Sequence, residues 1–376
     1  MKKLFGNEEF TKAVNSQIQN VITLGNEQGF LPGGINGPYL DIESPLRNTS
    51  HWLISFAVQY AITGDTAFRH TCDRLMNFLM HNSAYSMVDI PIHRQKTGKD
   101  WCNGVIGQAW IAEGLLVSGS IIGRKDAIEK AEHMLLQLPF NQRYGIWSCM
   151  DPRIGDGGFD TTYNHQCWYA AVCAESDNSI LKDRAQRFLD VSADGALDIR
   201  HTGLIYHNLQ HLPDSKIHRL MQNPLHLIGN KLLAVGAKKT HQTDKNERDI
   251  GYHLYDLYAL ARLKLAFPGH GLWSSNKIRK AVDYAASTEF MHSLQDNYYA
   301  YPYNAPGFEY PLISLAFSDS HPQLQQCAEN AWRVQIEKSW NPDLSLFIDN
   351  TYDPVTLAAR MYEFALYEFH RSSQKL

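Results

Sequence analysis

The chain has no CxxC pair, no lysine and arginine run, no apolar stretch of membrane-spanning length and no Pro/Gly/Ser-rich linker. Each absence excludes something. Six scattered cysteines fit reduced, buried thiols rather than a disulfide framework. A formal net charge of −4, spread over both signs, leaves no basic footprint for nucleic acid. The start, residues 1–9, has two lysines but turns acidic before any apolar stretch, so it does not read as a secretory signal. The expectation is a cytoplasmic protein without membrane or nucleic-acid partners. Domains of about 100 to 200 residues would allow two or three here. With no linker or charge block between them, residues 1–376 read as a single domain around one continuous core.

What is present is helical periodicity. Trp52, Phe56 and Tyr60 recur at every fourth position over 49–62, and a second apolar-periodic stretch, 65–80, follows Gly64. Together they predict a helical hairpin. The pattern recurs over 105–117 with 125–138, 161–174 with 179–191, 224–237, 249–266 with 275–290, 322–339 and 354–369. Ser320 ahead of Pro322, and Asp353 ahead of Pro354, predict helix starts with a capping side chain and proline in the first turn. Roughly a dozen helices in antiparallel pairs, without a heptad seam, predict an all-α fold, the (α/α)6 toroid or six-hairpin barrel.

Three segments concentrate acids and bases beside aromatic rings: Lys99 to Gly104, Phe159 to His165 and Thr202 to His207. Asp100 and Asp160 each precede a predicted helix, where an aspartate also serves simply as a cap. Tyr163, Asn164, His165, Trp168 and Tyr169 crowd about a turn and a half after Asp160. Gly104 and Gly107 would permit close approach of a neighbour or ligand. Paired carboxylates and a histidine supply proton transfer, and Trp101, Trp147 and Trp168 offer platforms for sugar faces. The tyrosine-rich run 298–310 reads either as a substrate-facing rim or as a packed loop closing the ring.

In order and gap, Asp-Trp-x-x-Gly at Asp100, Asp-Thr-x-Tyr at Asp160 and Thr-Gly-Leu-x-Tyr-His at Thr202 resemble the unsaturated uronyl hydrolases, glycoside hydrolase families 88 and 105. That resemblance implies a glycosidase that acts on oligosaccharides containing uronic acid and needs no cofactor or metal. Asp160 would be the general acid and base and Asp100 the second carboxylate, raising the pKa of Asp160 by proximity. His207, His165, Asn164, Tyr163, Trp101, Trp168 and Tyr206 would contact substrate. Two departures stand out. Asn208-Leu209-Gln210 follows His207 where the family has a small residue, Trp and Asp, and Ile228-Gly229-Asn230-Lys231 lacks the family's substrate-binding arginine.

Other readings stay open. Tyr163-Asn164-His165 through Ala171 is similar to the Asn-His-x-x-Trp-Ala-Ala segment of toroidal alginate lyases, which implies Asn164 and His165 acting with a tyrosine, Tyr206 or Tyr163. Trp101-Cys102-Asn103-Gly104 looks like a zinc-ligand segment of the toroidal lanthionine cyclases, without their Cys-His-Gly. A toroid that binds saccharide or assembles without turnover is the non-enzyme reading. Oligomeric state is not legible in the sequence.

Overall fold

A computed structural model describes residues 29–209 apart from 82 and 88, residues 234–373, and positions 12, 13, 15 and 16; for 234–244 it describes the backbone alone. Six inner helices close a ring. Leu46–Thr63 packs on Ile106–Ile122, then come Tyr163–Glu175, Ala234–Ala266 and Pro306–Phe317, and finally Tyr362–Ser373, which returns to Leu46–Thr63. Thr66–Met80, Lys125–Gln137, Ser179–Val191, Asn276–Ala285 and Leu324–Ser339 form an outer layer among the described residues.

The two layers differ as their burial demands. Ile106–Ile122 is buried on nearly every side, whereas Lys125–Gln137 buries only Ala127, Ala131, Met134 and Leu135, an i, i+4, i+7, i+8 stripe. Three of the outer helices named carry a side-chain cap. Asp65 accepts the Ala67 N–H, Asn178 those of Ile180 and Leu181, and Ser275 that of Ile278.

The expected hairpins are present, with local differences. Asp353 caps Pro354–Ala359 through the Thr356 N–H, but a second helix then begins at Tyr362, so 354–369 is not one helix. The stretch 275–290 also breaks, into Asn276–Ala285 and Thr288–Ser293. Ser320 bonds the Phe317 carbonyl and His321 instead of capping, and that helix starts at Leu324. The segment 298–310 is a turn that runs into the inner helix Pro306–Phe317, with Tyr301, Tyr303 and Tyr310 buried. Glycine-rich Gly155–Phe159 is a strand paired antiparallel with Ile146–Asp151. Most of the expected helix 224–237 and the Ile228–Lys231 segment lie outside the described residues. Among the described residues no helix is long and apolar enough to cross a membrane.

Charged side chains are buried among the inner helices. Arg360 donates to Glu309 at 2.8 Å and Glu363 at 2.7 Å, and Arg262 pairs with Glu113 and Glu175 at 2.7 Å each. Burial pushes Glu363 and Glu113 up to about 7 although the paired arginines oppose it. At these carboxylates desolvation outweighs the attraction of the paired arginines.

Candidate active site

The turns at one end of the ring enclose a cleft of about 370 Å³, within the range of small-molecule sites. It is built around the turn Asn103-Gly104-Val105. Asn103 and Gly104 both have positive φ, 58° and 61°, which aims two consecutive amides at two different carboxylates. The Gly104 N–H donates to Asp100 at 2.7 Å, and the Val105 N–H donates to Asp160 at 2.9 Å. A Cβ on Gly104 would stand 2.1 Å from Asp160 Oδ2 and 2.7 Å from His165 Nδ1, so a side chain here collides with the site.

Asp160 receives three donors: Val105 N–H and His165 Nδ1 (2.7 Å) on Oδ2, and Thr162 N–H (2.9 Å) on Oδ1. Burial alone would raise its pKa. His165 and the two amides outweigh burial and hold it at about 2. The expected elevation by Asp100 is therefore not what the structure shows, since each carboxylate has its own donors. Asp100 accepts from Gly104 on Oδ1 and from Arg94 Nη2 at 2.8 Å on Oδ2. With its Nδ1 edge turned to buried Asp160, the His165 side chain keeps 22 % exposure in the cleft lining.

His207 stands on the same cleft wall. Its Nδ1 accepts from the Asn164 amide at 3.0 Å, and burial, reinforced by Arg248, pushes its pKa well below the usual value, so the ring is neutral. Its ring packs against Tyr252, whose hydroxyl meets that of Tyr39 at 3.0 Å. Burial raises both phenols, which therefore stay protonated. On the floor, Arg47 pairs with Glu43 at 3.2 Å and lies 4.0 Å from the Trp110 ring centroid. Lys99, Arg94 and Arg248 give the cleft a cationic lining, and no carboxylate among the described residues pairs with Arg248.

The structure thus gathers Asp100, Asp160, Asn164, His165 and His207 in one cleft. Other expected contacts lie elsewhere. Trp168 is wholly buried between Tyr255 and Tyr258, at 4.3 and 5.3 Å, and donates to Glu113 at 2.9 Å, which makes it core. Tyr163 and Trp147 are also buried in the core. Trp101 lies under Arg153, and Tyr206 under Arg200, both outside the cleft lining. Tyr39, Arg47, Arg94, Trp110, Arg248 and Tyr252 were missed, because each comes from a segment with no motif of its own. No group of three His, Cys, Asp or Glu side chains among the described residues is placed to hold a metal, and Cys102 instead donates to Asp100.

A closed ring of inner helices backed by an outer helical layer is, among the described residues, the (α/α)6 toroid. Solved structures share it. An unsaturated glucuronyl hydrolase from a Bacillus species matches with a TM-score of 0.61 at 11% identity, over 97% of both chains. A cellobiose 2-epimerase from Spirochaeta thermophila matches with 0.58 at 11%, over 95% of this chain and 96% of that one. D-mannose isomerase matches with 0.61 at 12%, over 98% and 100%. No established family model matches the chain. The family comes instead from a relative in Haloferax volcanii, archaeal glycosylation protein Q, which is 34% identical over 356 residues, 93% of this chain and 94% of that one. The chain belongs to the family of archaeal glycosylation protein Q.

Proposed function

We propose that the chain is an enzyme of glycan metabolism that takes a proton from a carbon of an acidic saccharide, with His165 as base and Asp160 as its fixed anion. The observation that carries this reading is the 2.7 Å contact between His165 Nδ1 and Asp160. A carboxylate held ionised by two amides fixes the proton on Nδ1, frees Nε2 to accept a second proton and stabilises the imidazolium that results. The C–H electron pair would pass into a neighbouring carboxylate or carbonyl of the sugar, next to the cationic Arg94, Lys99 and Arg248. Neutral His207 and Tyr252 can donate a hydrogen bond or return a proton on the same wall. Return of a proton gives an epimer or isomer, and loss of a neighbouring oxygen gives an unsaturated sugar. A glycan substrate is in keeping with the name of the Haloferax relative, a glycosylation protein.

The hydrolase suggested by the motif order is the second reading. The two carboxylates bound by consecutive amides of one turn favour it. It requires Asp160 to carry a proton, whereas the His165, Val105 and Thr162 donors favour its ionised form.

Both readings are tested together by incubating the protein with uronic-acid and neutral oligosaccharides in D₂O. NMR follows sugar C–H signals, and ultraviolet absorbance follows conjugated uronate. Deuterium entering a saturated sugar without cleavage, or cleavage with rising absorbance, and either one lost in His165→Gln and Asp160→Asn, is the expected result. Release of sugar with falling absorbance from an unsaturated substrate, or with no absorbance change from a saturated one, would move the assignment to hydrolysis. Binding without either change would leave a saccharide-binding protein.

A further inference from the structure

Among the described residues, the three most exposed large apolar side chains are Ile42 at 80 %, Ile154 at 71 % and Leu40 at 64 %. Single exposed apolar residues are ordinary on a protein surface. A series of contacts ties the segments that carry these three to the lysine and arginine side chains at the rim of the cleft. Leu40 and Ile42 flank Asp41, whose carboxylate takes the ammonium groups of Lys96 and Lys99 and, at 3.3 Å, the guanidinium of Arg94. The Lys99 carbonyl accepts from Arg153 at 2.9 Å, and Ile154 follows Arg153. Lys99, Arg94 and Tyr39, the neighbour of Leu40, line the cleft itself.

The charges are layered. Asp41 and Asp151 lie beneath, their side chains 0 % and 2 % exposed, while Lys96, Lys99 and Arg153 stand outside at 42 %, 34 % and 37 %. Four cations, Arg94, Lys96, Lys99 and Arg153, surround three carboxylates, Asp41, Asp100 and Asp151. The outer layer of the rim is therefore aliphatic side chains interspersed with cationic tips. That combination suits the boundary of a bilayer, where aliphatic groups enter the acyl region and cations meet headgroup phosphates.

We propose that this rim docks the mouth of the cleft onto a membrane surface bearing anionic headgroups. The saccharide presented to the cleft would then lie close to the headgroup plane. The proposal reverses the sequence-based expectation of no membrane partner, for a physical reason. Positions 40, 42 and 154 are joined only by the fold, so neither an amphipathic helix nor a basic run records them.

The test is sedimentation of the full chain with vesicles of phosphatidylcholine alone and of phosphatidylcholine mixed with phosphatidylglycerol. The expected result is binding to the mixed vesicles that weakens as salt is raised. It should fall at least tenfold in Leu40→Ser/Ile42→Ser/Ile154→Ser, a variant whose circular dichroism and melting temperature match the parent. Lys96→Gln/Arg153→Gln should lose the preference for anionic over neutral vesicles. Failure of the parent to bind either vesicle, or equal binding by the triple serine variant, would overturn the proposal. A parent dimer in lipid-free solution that the serine variant abolishes would also overturn it, by assigning the patch to self-association. None of these readouts depends on which reaction the cleft performs.

Discussion

Replacing Gly104 by alanine separates a site held by geometry from one that merely contains the right residues. Two penalties are expected. The left-handed φ of +61° costs a residue with a Cβ about 1–2 kcal/mol. The methyl group, placed 2.1 Å from Asp160 Oδ2 and 2.7 Å from His165 Nδ1, must also displace the carboxylate from the Val105 amide. A lost hydrogen bond to a charged group is worth about 1.5–3 kcal/mol. The two together come to roughly 2.5–5 kcal/mol, or a melting temperature lower by about 3–6 °C for a chain of this length. Gly64 supplies an internal control. Its φ is +70°, but nothing lies within 4 Å of a Cβ built there, so Gly64→Ala should show only the backbone part. Differential scanning calorimetry of both variants beside the parent measures the difference. Deuterium exchange into the saccharide should fall on the order of 100-fold in Gly104→Ala and stay near parental in Gly64→Ala, because small misplacements of reacting groups cost about that much. A Gly104→Ala protein no less stable than Gly64→Ala, or as active as the parent, would refute the reasoning that one turn sets both carboxylates.

Two further outcomes follow from buried charge. Asp160 has a folded pKa of about 2 against an ordinary 3.8, so it contributes stability that is fully present above pH 4 and is lost as pH falls toward 2. The stability gap between parent and Asp160→Asn, read by urea unfolding from pH 6 to pH 3, should therefore shrink on acidification, with about 2.5 kcal/mol as the upper bound of the linked part. A gap that widens would contradict the ionised assignment. Arg360→Met would leave Glu309 and Glu363 buried beside each other without their shared cation, a loss of about 3–5 kcal/mol. Adding Glu363→Gln should recover part of it, and no recovery would show that the arginine acts by packing alone.

The outer helices were legible because they show an apolar stripe; of the two capping side chains expected, Asp353 caps its helix and Ser320 does not. Ser179–Val191 agrees with its periodicity at both ends. Pro306–Phe317 was hidden because it is buried nearly all round, so it has no stripe, and because Pro311 inside it reads as a breaker. In the site, Asp100, Asp160, Asn164, His165 and His207 could be found because they cluster in short motifs. Arg248 and Tyr252 could not, since nothing in a long helix marks which turn faces the opening. Trp168 shows the opposite error. Its company of polar aromatics suggested a cleft, but a helix of the inner ring has two faces, and that tryptophan is on the one turned to its neighbours.

Closure of the ring has a consequence for how the protein is made. The last inner helix, Tyr362–Ser373, seals against the first, Leu46–Thr63, and Arg360 near the end of the chain braces Tyr303 and Asn304 on the cleft floor. On the ribosome, the amino-terminal hairpins emerge long before the segment that completes their contacts. Until residues 354–373 have emerged they present unsatisfied apolar flanks to the cell, and the cleft cannot be complete in a nascent chain that lacks them. A premature stop anywhere before residue 354 should therefore yield a client of chaperones and proteases, with no partly working cleft.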